Sequence, residues 1–182
     1  FTAAAQTDSL AVVKATWTTK KIARGIKHRH CWFDSTLFGT AQNINILEIK
    51  NRRRNRIDIG ADPKTLMPTS RIASGNNALA ALNGTFFDMK NGGSMDYIRI
   101  DGEMVNATRF GKNHSRSLHQ KAAVITENGK LSILQWDSSA NWEEMLKAED
   151  VMVSGPLLVK NGKRTPLDTG SMYTVRHPRT AV

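Results

Sequence analysis

The pattern of apolar and polar positions predicts three β-hairpins in the second half of the chain. In each, a strand-like stretch leads into an Asn-Gly or Asp-Gly pair, the sequence preferred in two-residue type I′ turns. Within residues 95–100, polar positions face outward and apolar positions inward, apart from Tyr97. Three hairpins indicate a largely antiparallel sheet. The stretches are residues 95–100 before Asp101-Gly102, residues 122–126 and 131–134 around Asn128-Gly129, and residues 157–159 before Asn161-Gly162.

Two further strands are predicted outside the hairpins. Residues 43–49 are rich in β-branched side chains, although the apolar parity shifts at Leu47, which indicates a bulge or burial of both faces. Residues 78–82 are apolar and end at Asn83-Gly84. This short length favours a buried strand over a helix.

Two short helices complete the pattern. The first covers residues 68–75, with Thr69 or Ser70 as N-cap. The second covers residues 141–147, where Asn141 forms a capping box with the glutamate three residues later. Strands with a few interspersed helices predict an α+β fold, in which a mixed, largely antiparallel sheet is covered by helices on one side.

Length and composition favour a compact protein with a hydrophobic core, since 40% of the 182 residues are hydrophobic. We assign residues 1–40 to an N-terminal extension or first elements, and residues 41–182 to the principal domain. No apolar run approaches the ~20 residues that a membrane-spanning helix needs, so we predict no transmembrane segment. The single cysteine, Cys31, excludes an internal disulfide. Any signal peptide has been removed or lies outside this sequence.

The net charge of +10, from 26 Lys and Arg against 16 Asp and Glu, is typical of nucleic-acid-binding proteins. No recognition helix, zinc-finger spacing or RNP-type aromatic sequence accompanies the basic residues, so we predict no nucleic-acid partner. His28, His30 and Cys31 are metal-ligand residue types, but no second half with ligand spacing follows. We therefore predict no metal site among these residues and no cofactor. The sequence leaves open whether the protein uses a divalent cation.

Two segments carry residue types suited to ligand binding. Asn83, Gly84 and Asp88 follow a predicted strand, and strand ends are where open sheets bind ligands. An ordinary turn with two phenylalanines in the core is the alternative. Ser154 and Gly155 can present a hydroxyl and backbone N–H groups to an anion, or form a bend between strands.

A third segment lies near residue 182, where Arg176, His177 and Arg179 surround Pro178. Two guanidiniums and an imidazole held by a proline form a clamp for phosphate or carboxylate through charge-assisted hydrogen bonds. From spacing alone, a charged surface loop is an equal alternative.

Taken in order, these segments resemble the phosphodiester glycosidase family, the domain of the mannose 6-phosphate uncovering enzyme and its bacterial relatives. The family's Asn-Gly-Gly-Phe-Phe motif falls on residues 83–87, its Gly-Pro motif on residues 155–156 and its Arg-Thr-Ala motif on residues 179–181. The resembling stretches are residues 78–88, 100–103, 154–162 and 176–182.

The resemblance implies an α+β hydrolase that cleaves a sugar-1-phosphodiester, the bond between an anomeric carbon and a phosphate. It also implies a sugar-phosphate or glycan substrate and a secreted, periplasmic or envelope-associated protein. A non-catalytic glycan- or anion-binding module of the cell envelope is the alternative. No oligomeric state is predicted.

On this resemblance we expect catalytic roles for Asp88, His177 and Arg179. The two arginines of the clamp and His177 would hold the phosphate. Asp88, or a carboxylate beyond residue 182, would stabilise the sugar cation or activate water. Asn83 and Ser154 would orient sugar hydroxyls. The expected substrate-binding residues are Asn83, Gly84, Thr85, Ser154, Gly155, Arg176 and Thr180.

The sequence departs from the family pattern in two respects. Thr85 occupies the position of the usual glycine, and it either loses a close backbone approach or adds a hydroxyl to the site. Family members also continue past the Arg-Thr-Ala motif with an Asp-Gly-Arg motif and a Leu-Asp-Gly-Gly-Gly-Ser motif. We therefore expect residues 41–182 to be the front portion of a longer domain.

Overall fold

The structure, a computed structural model, describes residues 3–52, 54–167, 170 and 174–182. The chain divides into two compact units, residues 1–55 and residues 56–182. Residues 40–49 form a strand that pairs within the first unit. The assignment of residues 1–40 to an N-terminal extension and of residues 41–182 to the principal domain stays a prediction.

Within its described residues, the first unit contains one helix and a three-stranded antiparallel sheet in the order β1-β2-β3. Its core consists of Cys31, Phe33 and Leu37, which are buried and are packed against the helix and Trp17. The predicted strand at residues 43–49 is confirmed as part of β3. The elements are α1 (Ala3–Lys14), β1 (Thr18–Ala23), β2 (Ile26–Leu37) and β3 (Thr40–Ile49).

The second unit is built on a five-stranded sheet in the order β5-β4-β8-β6-β7, with a separate two-stranded hairpin. Every strand pairing among the described residues is antiparallel. The strands are β4 (Ile98–Ile100), β5 (Glu103–Asn106), β6 (Ala122–Glu127), β7 (Lys130–Gln135), β8 (Asp150–Val153), β9 (Val159–Lys160) and β10 (Lys163–Arg164).

All three predicted hairpins are confirmed. They join β4 to β5, β6 to β7 and β9 to β10. In each turn both central residues have positive φ, as in Asp101 (51°) and Gly102 (81°). Two consecutive left-handed residues define the type I′ turn, whose twist matches that of the flanking strands.

Two helices of the second unit, α2 (Thr69–Gly75) and α3 (Trp142–Met145), lie within the regions predicted to be helical. The predicted cap of α2 is wrong, because Pro68 occupies its N-cap position. Asn141 is the N-cap residue of α3, as predicted, but it makes no side-chain cap hydrogen bond, so the predicted capping box is absent. With these helices and the antiparallel sheets, the α+β fold class is confirmed.

The predicted strand at residues 78–82 is wrong. These residues belong to none of the described strands, and Leu79 is 68% exposed. The segment follows α2 directly, and the Ala78 N–H donates to Ala73 O at 2.9 Å. Three of the five side chains are alanines, so burying this segment would remove little apolar surface from water.

The core of the second unit lies between the sheet and α3, where Tyr97, Ala123, Trp142, Val151 and Val153 are buried together. In the part of the chain that the structure describes, no helix is long and apolar enough to cross a bilayer.

Candidate functional site

The turn at residues 83–85 packs against the end of strand β8. A Cβ atom added to Gly84 would lie 2.5 Å from the Met152 sulfur, well inside van der Waals contact. The absence of a side chain at Gly84 therefore lets the turn approach the strand that leads into Ser154.

The third segment reaches the same turn. The Thr180 hydroxyl donates to Asn83 Oδ1 at 2.6 Å, across 97 positions of sequence. Arg176, His177 and Arg179 are exposed on the same short segment, and Arg179 Nη2 donates to Val175 O at 3.1 Å. The Arg-Thr-Ala segment and the Asn-Gly turn are thus joined through a direct side-chain hydrogen bond.

Gly155 packs against the short 3₁₀ turn Leu118–Gln120. A Cβ atom at Gly155 would lie 3.1 Å from Leu118 O and 3.2 Å from His119 Cα. Those atoms belong to the backbone, so they have little freedom to move away. The Ser154 N–H donates to Ala122 O at 3.0 Å, which ties the neighbouring residue to β6.

His119 faces a buried carboxylate. Its Nε2 atom lies 3.5 Å from Asp96 Oδ2, and its ring lies 4.6 Å from the Phe86 ring, centroid to centroid. The Asp96 side chain is fully buried, whereas that of His119 is 18% exposed. A largely buried imidazole beside a buried carboxylate is an arrangement suited to general acid–base chemistry.

Asp96 is held by neighbours on both oxygens. Gln120 Nε2 donates to Asp96 Oδ1 at 2.8 Å, and the Thr85 hydroxyl donates to Oδ2 at 3.4 Å. Thr85 therefore adds a hydroxyl to this site. The adjacent Gly84 keeps the close backbone approach of the turn.

Burial raises the pKa of Asp96 above its ordinary value of 3.8. The Gln120 hydrogen bond, the charge of His119 and the Thr85 hydroxyl act against this rise, and the charge of Glu143 adds to it. Desolvation is the largest of these effects, since it disfavours the ionised carboxylate.

A cavity of about 390 Å³ opens beside the 3₁₀ turn. Arg116 lies on its wall and pairs with buried Glu143 at 2.5 Å, so its charge is already balanced. The Lys121 ammonium lies 5.7 Å from the Trp136 ring centre. The cavity is lined by Arg116, Ser117, Leu118, Lys121, Pro166 and Leu167.

Asp88 lies in the loop that leads back to Asp96. Its carboxylate accepts hydrogen bonds from the Lys90 and Asn91 N–H groups, from the Asn91 amide at 2.9 Å and from Arg109. These donors, led by the Asn91 side chain, hold the pKa of Asp88 well below its ordinary value. Because both carboxylate oxygens of Asp88 already accept hydrogen bonds, this side chain is suited to holding the loop together. A catalytic role for Asp88 stays a prediction.

Sequence reasoning missed Asp96, His119 and Gln120. One local pattern identifies part of the site, because Ser117 and Gln120 form a capping box that shapes the turn carrying His119. No spacing rule pairs positions 96 and 119, since their contact depends on tertiary structure. Among the described residues, no three His, Cys, Asp or Glu side chains converge as metal ligands.

Comparison with known proteins relates the chain to a family. A family model described as phosphodiester glycosidase matches residues 76–182, more than half of the chain. The matched region contains the Asn83 turn, Asp96, His119 and Thr180. No curated protein and no solved structure gives a significant match.

Proposed function

Because the chain belongs to the phosphodiester glycosidase family, we propose that it hydrolyses the bond between the anomeric carbon and the phosphate of a sugar-1-phosphodiester. The observation that carries this proposal is the hydrogen bond from Thr180 to Asn83. It joins the basic segment to the turn that faces β8, which supports a single site for the groups proposed to bind phosphate and sugar.

The basic segment supplies the phosphate-binding groups. Arg176, His177 and Arg179 are exposed beside Thr180, and guanidinium groups bind phosphate oxygens through paired, charge-assisted hydrogen bonds. Phosphate is a good leaving group, so neutralising its charge lowers the barrier more than strong protonation does. Asn83 lies in that turn, and Ser154 follows the strand that packs against it. Both side chains are assigned hydrogen bonds to sugar hydroxyls.

His119 is the general base of the proposed mechanism. Its Nε2 faces Asp96, which leaves Nδ1 to accept a proton from the attacking water. The water oxygen bonds to the anomeric carbon as the carbon–oxygen bond to phosphate breaks, and that electron pair stays on the phosphate. His119 then releases its proton to solvent. Asp96 balances the charge of the imidazolium while it exists.

The proposal is tested by the substitution Arg179→Ala. The measurement is kcat/KM on a sugar 1-phosphate whose phosphate is esterified with an aryl group or a second sugar. We expect a fall of far more than about tenfold with the fold intact, because a charge-assisted contact to the leaving phosphate is lost. Lys163→Ala is the charge-matched control, since Lys163 is an exposed cation on β10.

A near-normal rate in Arg179→Ala would contradict the phosphate clamp. If the wild-type chain binds the sugar phosphodiester but releases no product over hours, the protein is instead a non-catalytic glycan- or anion-binding module.

A further inference from the structure

The sheet of the first unit has two different faces. Cys31 and Phe33 point toward the core beside α1, so the residues that alternate with them along β2 point to the opposite side. We call this side the outer face. It includes Thr18 and Lys20 on β1, His28, His30 and Trp32 on β2, and Asn43, Asn45 and Leu47 on β3.

Side-chain hydrogen bonds connect the polar groups of the outer face. His28 Nε2 lies 2.9 Å from Asn45 Oδ1, and His30 Nε2 lies 2.9 Å from Asn43 Oδ1. The Asn45 amide donates to Asn43 Oδ1 at 3.1 Å. Four side chains are thereby held in place before any ligand arrives, which reduces the entropy lost on binding.

Trp32 stands beside this polar array with 59% of its surface exposed. An exposed indole offers a large, rigid, flat surface at low entropic cost. Trp32 and His28 are four residues apart on one strand, so the outer face extends about 14 Å along β2. An aromatic surface next to fixed amides and imidazoles matches the alternating apolar faces and hydroxyl groups of a sugar chain.

The charge of this unit favours an anionic ligand. Residues 1–55 contain ten Lys and Arg but three Asp and Glu. Lys20 lies on the outer face, directly opposite His28. Its ammonium group can pair with an anionic group of a ligand through charge-assisted hydrogen bonds.

We propose that the outer face binds an anionic glycan whose sugars are linked by phosphodiesters. A sugar ring stacks on Trp32, the imidazoles and amides bind its hydroxyl groups, and Lys20 binds a phosphate. The choice of a phosphodiester-linked glycan over a nucleic acid rests on the proposed function. Both are polyanions, but the outer face offers one exposed indole among amides rather than a series of aromatic stacking surfaces.

The probe for this surface is phosphomannan, a mannose polymer with phosphodiester links, titrated into the whole chain by calorimetry. Neutral mannan and single-stranded DNA of similar length are the comparison ligands. We expect the wild type to bind phosphomannan at least about tenfold more tightly than either, because the surface has both an aromatic contact and cations.

Matched variants locate the site. Trp32→Ala and Lys20→Ala should each weaken phosphomannan binding by about tenfold or more. Phe38→Ala removes another exposed aromatic side chain of this unit, and Lys27→Ala removes a cation from the opposite face of β2. Both controls should bind like the wild type. Circular dichroism of each variant checks that the fold is intact.

The proposal is overturned if the control variants lose as much phosphomannan affinity as Trp32→Ala and Lys20→Ala. It is also overturned if the wild type binds DNA or neutral mannan as tightly as it binds phosphomannan. Turnover of a small sugar phosphodiester by the wild type separates the two proposals. Phosphomannan binding that depends on Trp32, without turnover, rejects the hydrolase and keeps the surface. Turnover without such binding rejects the surface and keeps the hydrolase.

Discussion

Thr85 connects the Asn83 turn to the buried carboxylate. Its hydroxyl donates to Asp96 Oδ2, which also faces His119. The side chain that replaces the family's glycine therefore contributes to orienting the proposed acid–base pair. Asp96 acts through His119, so it is a positioning residue in this mechanism.

Asp96→Asn is expected to lower kcat/KM by more than about tenfold and to change its pH dependence. Asparagine preserves the shape of the side chain but cannot balance the imidazolium of His119. The measurement is the pH profile of kcat/KM on a small sugar phosphodiester. Thr85→Val, which keeps the carboxylate, should lose less activity and retain the wild-type profile. An unchanged profile in Asp96→Asn would contradict the pairing.

Gly155→Ala should destabilise the protein by about 1–3 kcal/mol, because its Cβ would crowd the backbone at Leu118 and His119. Gly75→Ala is the matched control, since nothing lies within 4 Å of its added Cβ. Urea denaturation measures both variants. Equal stability of the two would show that the turn at Leu118–Gln120 can move aside.

At the level of elements, the loop between Phe86 and Met95 carries part of the site. The Met95 N–H donates to Phe86 O, and the Asp88 N–H donates to Gly93 O. The Asp88 carboxylate holds the tip of this loop through the Lys90 and Asn91 N–H groups. These hydrogen bonds hold Phe86 and Met95, the two ends of the loop, next to each other. Asp96 follows Met95 directly, so the loop sets the positions of both Phe86 and Asp96.

Asp88→Asn should lower the free energy of unfolding near neutral pH. It should also make that free energy fall less steeply as the pH drops into the acid range. Because the pKa of Asp88 is lowered in the folded state, its contribution is present above the pKa of the unfolded chain. That contribution is lost as the pH falls through the folded pKa. Urea denaturation at several acidic pH values measures this. Parallel curves for wild type and variant would contradict it.

The sequence could predict elements whose geometry is fixed locally. Each Asn-Gly or Asp-Gly pair takes positive φ at both positions, so the three hairpins follow from short motifs. The Ala-Leu segment at residues 78–82 could not be decided this way, since a short apolar run becomes a strand only if a partner covers it. The same limit applies to the pairing of Asp96 with His119, which depends on contacts between distant elements.

At the level of the whole molecule, the second unit brings the carboxyl groups of Asp58 and Asp150 together, and these groups repel each other when both are ionised. Burial is the largest cause that raises the pKa of Asp58, followed by a hydrogen bond with Asp150 and the charge of Asp150. Asp150 is itself buried and accepts a hydrogen bond from the Asp101 N–H at 2.9 Å. A raised folded pKa favours the protonated form of Asp58.

Asp58→Asn should stabilise the protein near neutral pH and match the wild type in acid. The stabilising effect of protonated Asp58 is present below the unfolded pKa and is lost as the pH rises through the folded pKa. Asparagine stays uncharged throughout. The free energy of unfolding, measured from about pH 3 to 8, should separate the two proteins progressively toward neutral pH. A variant less stable than the wild type at pH 7 would contradict the proposed destabilising effect of ionised Asp58.

The hydrogen bond between Thr180 and Asn83 has a kinetic consequence. Its partners are 97 positions apart, whereas the type I′ hairpins close over a few residues, and closing a long loop costs more chain entropy than closing a short one. During refolding, the hairpins should therefore form early and the basic segment should join the turn last. Recovery of the proposed activity on a sugar phosphodiester would then lag behind the change in tryptophan fluorescence.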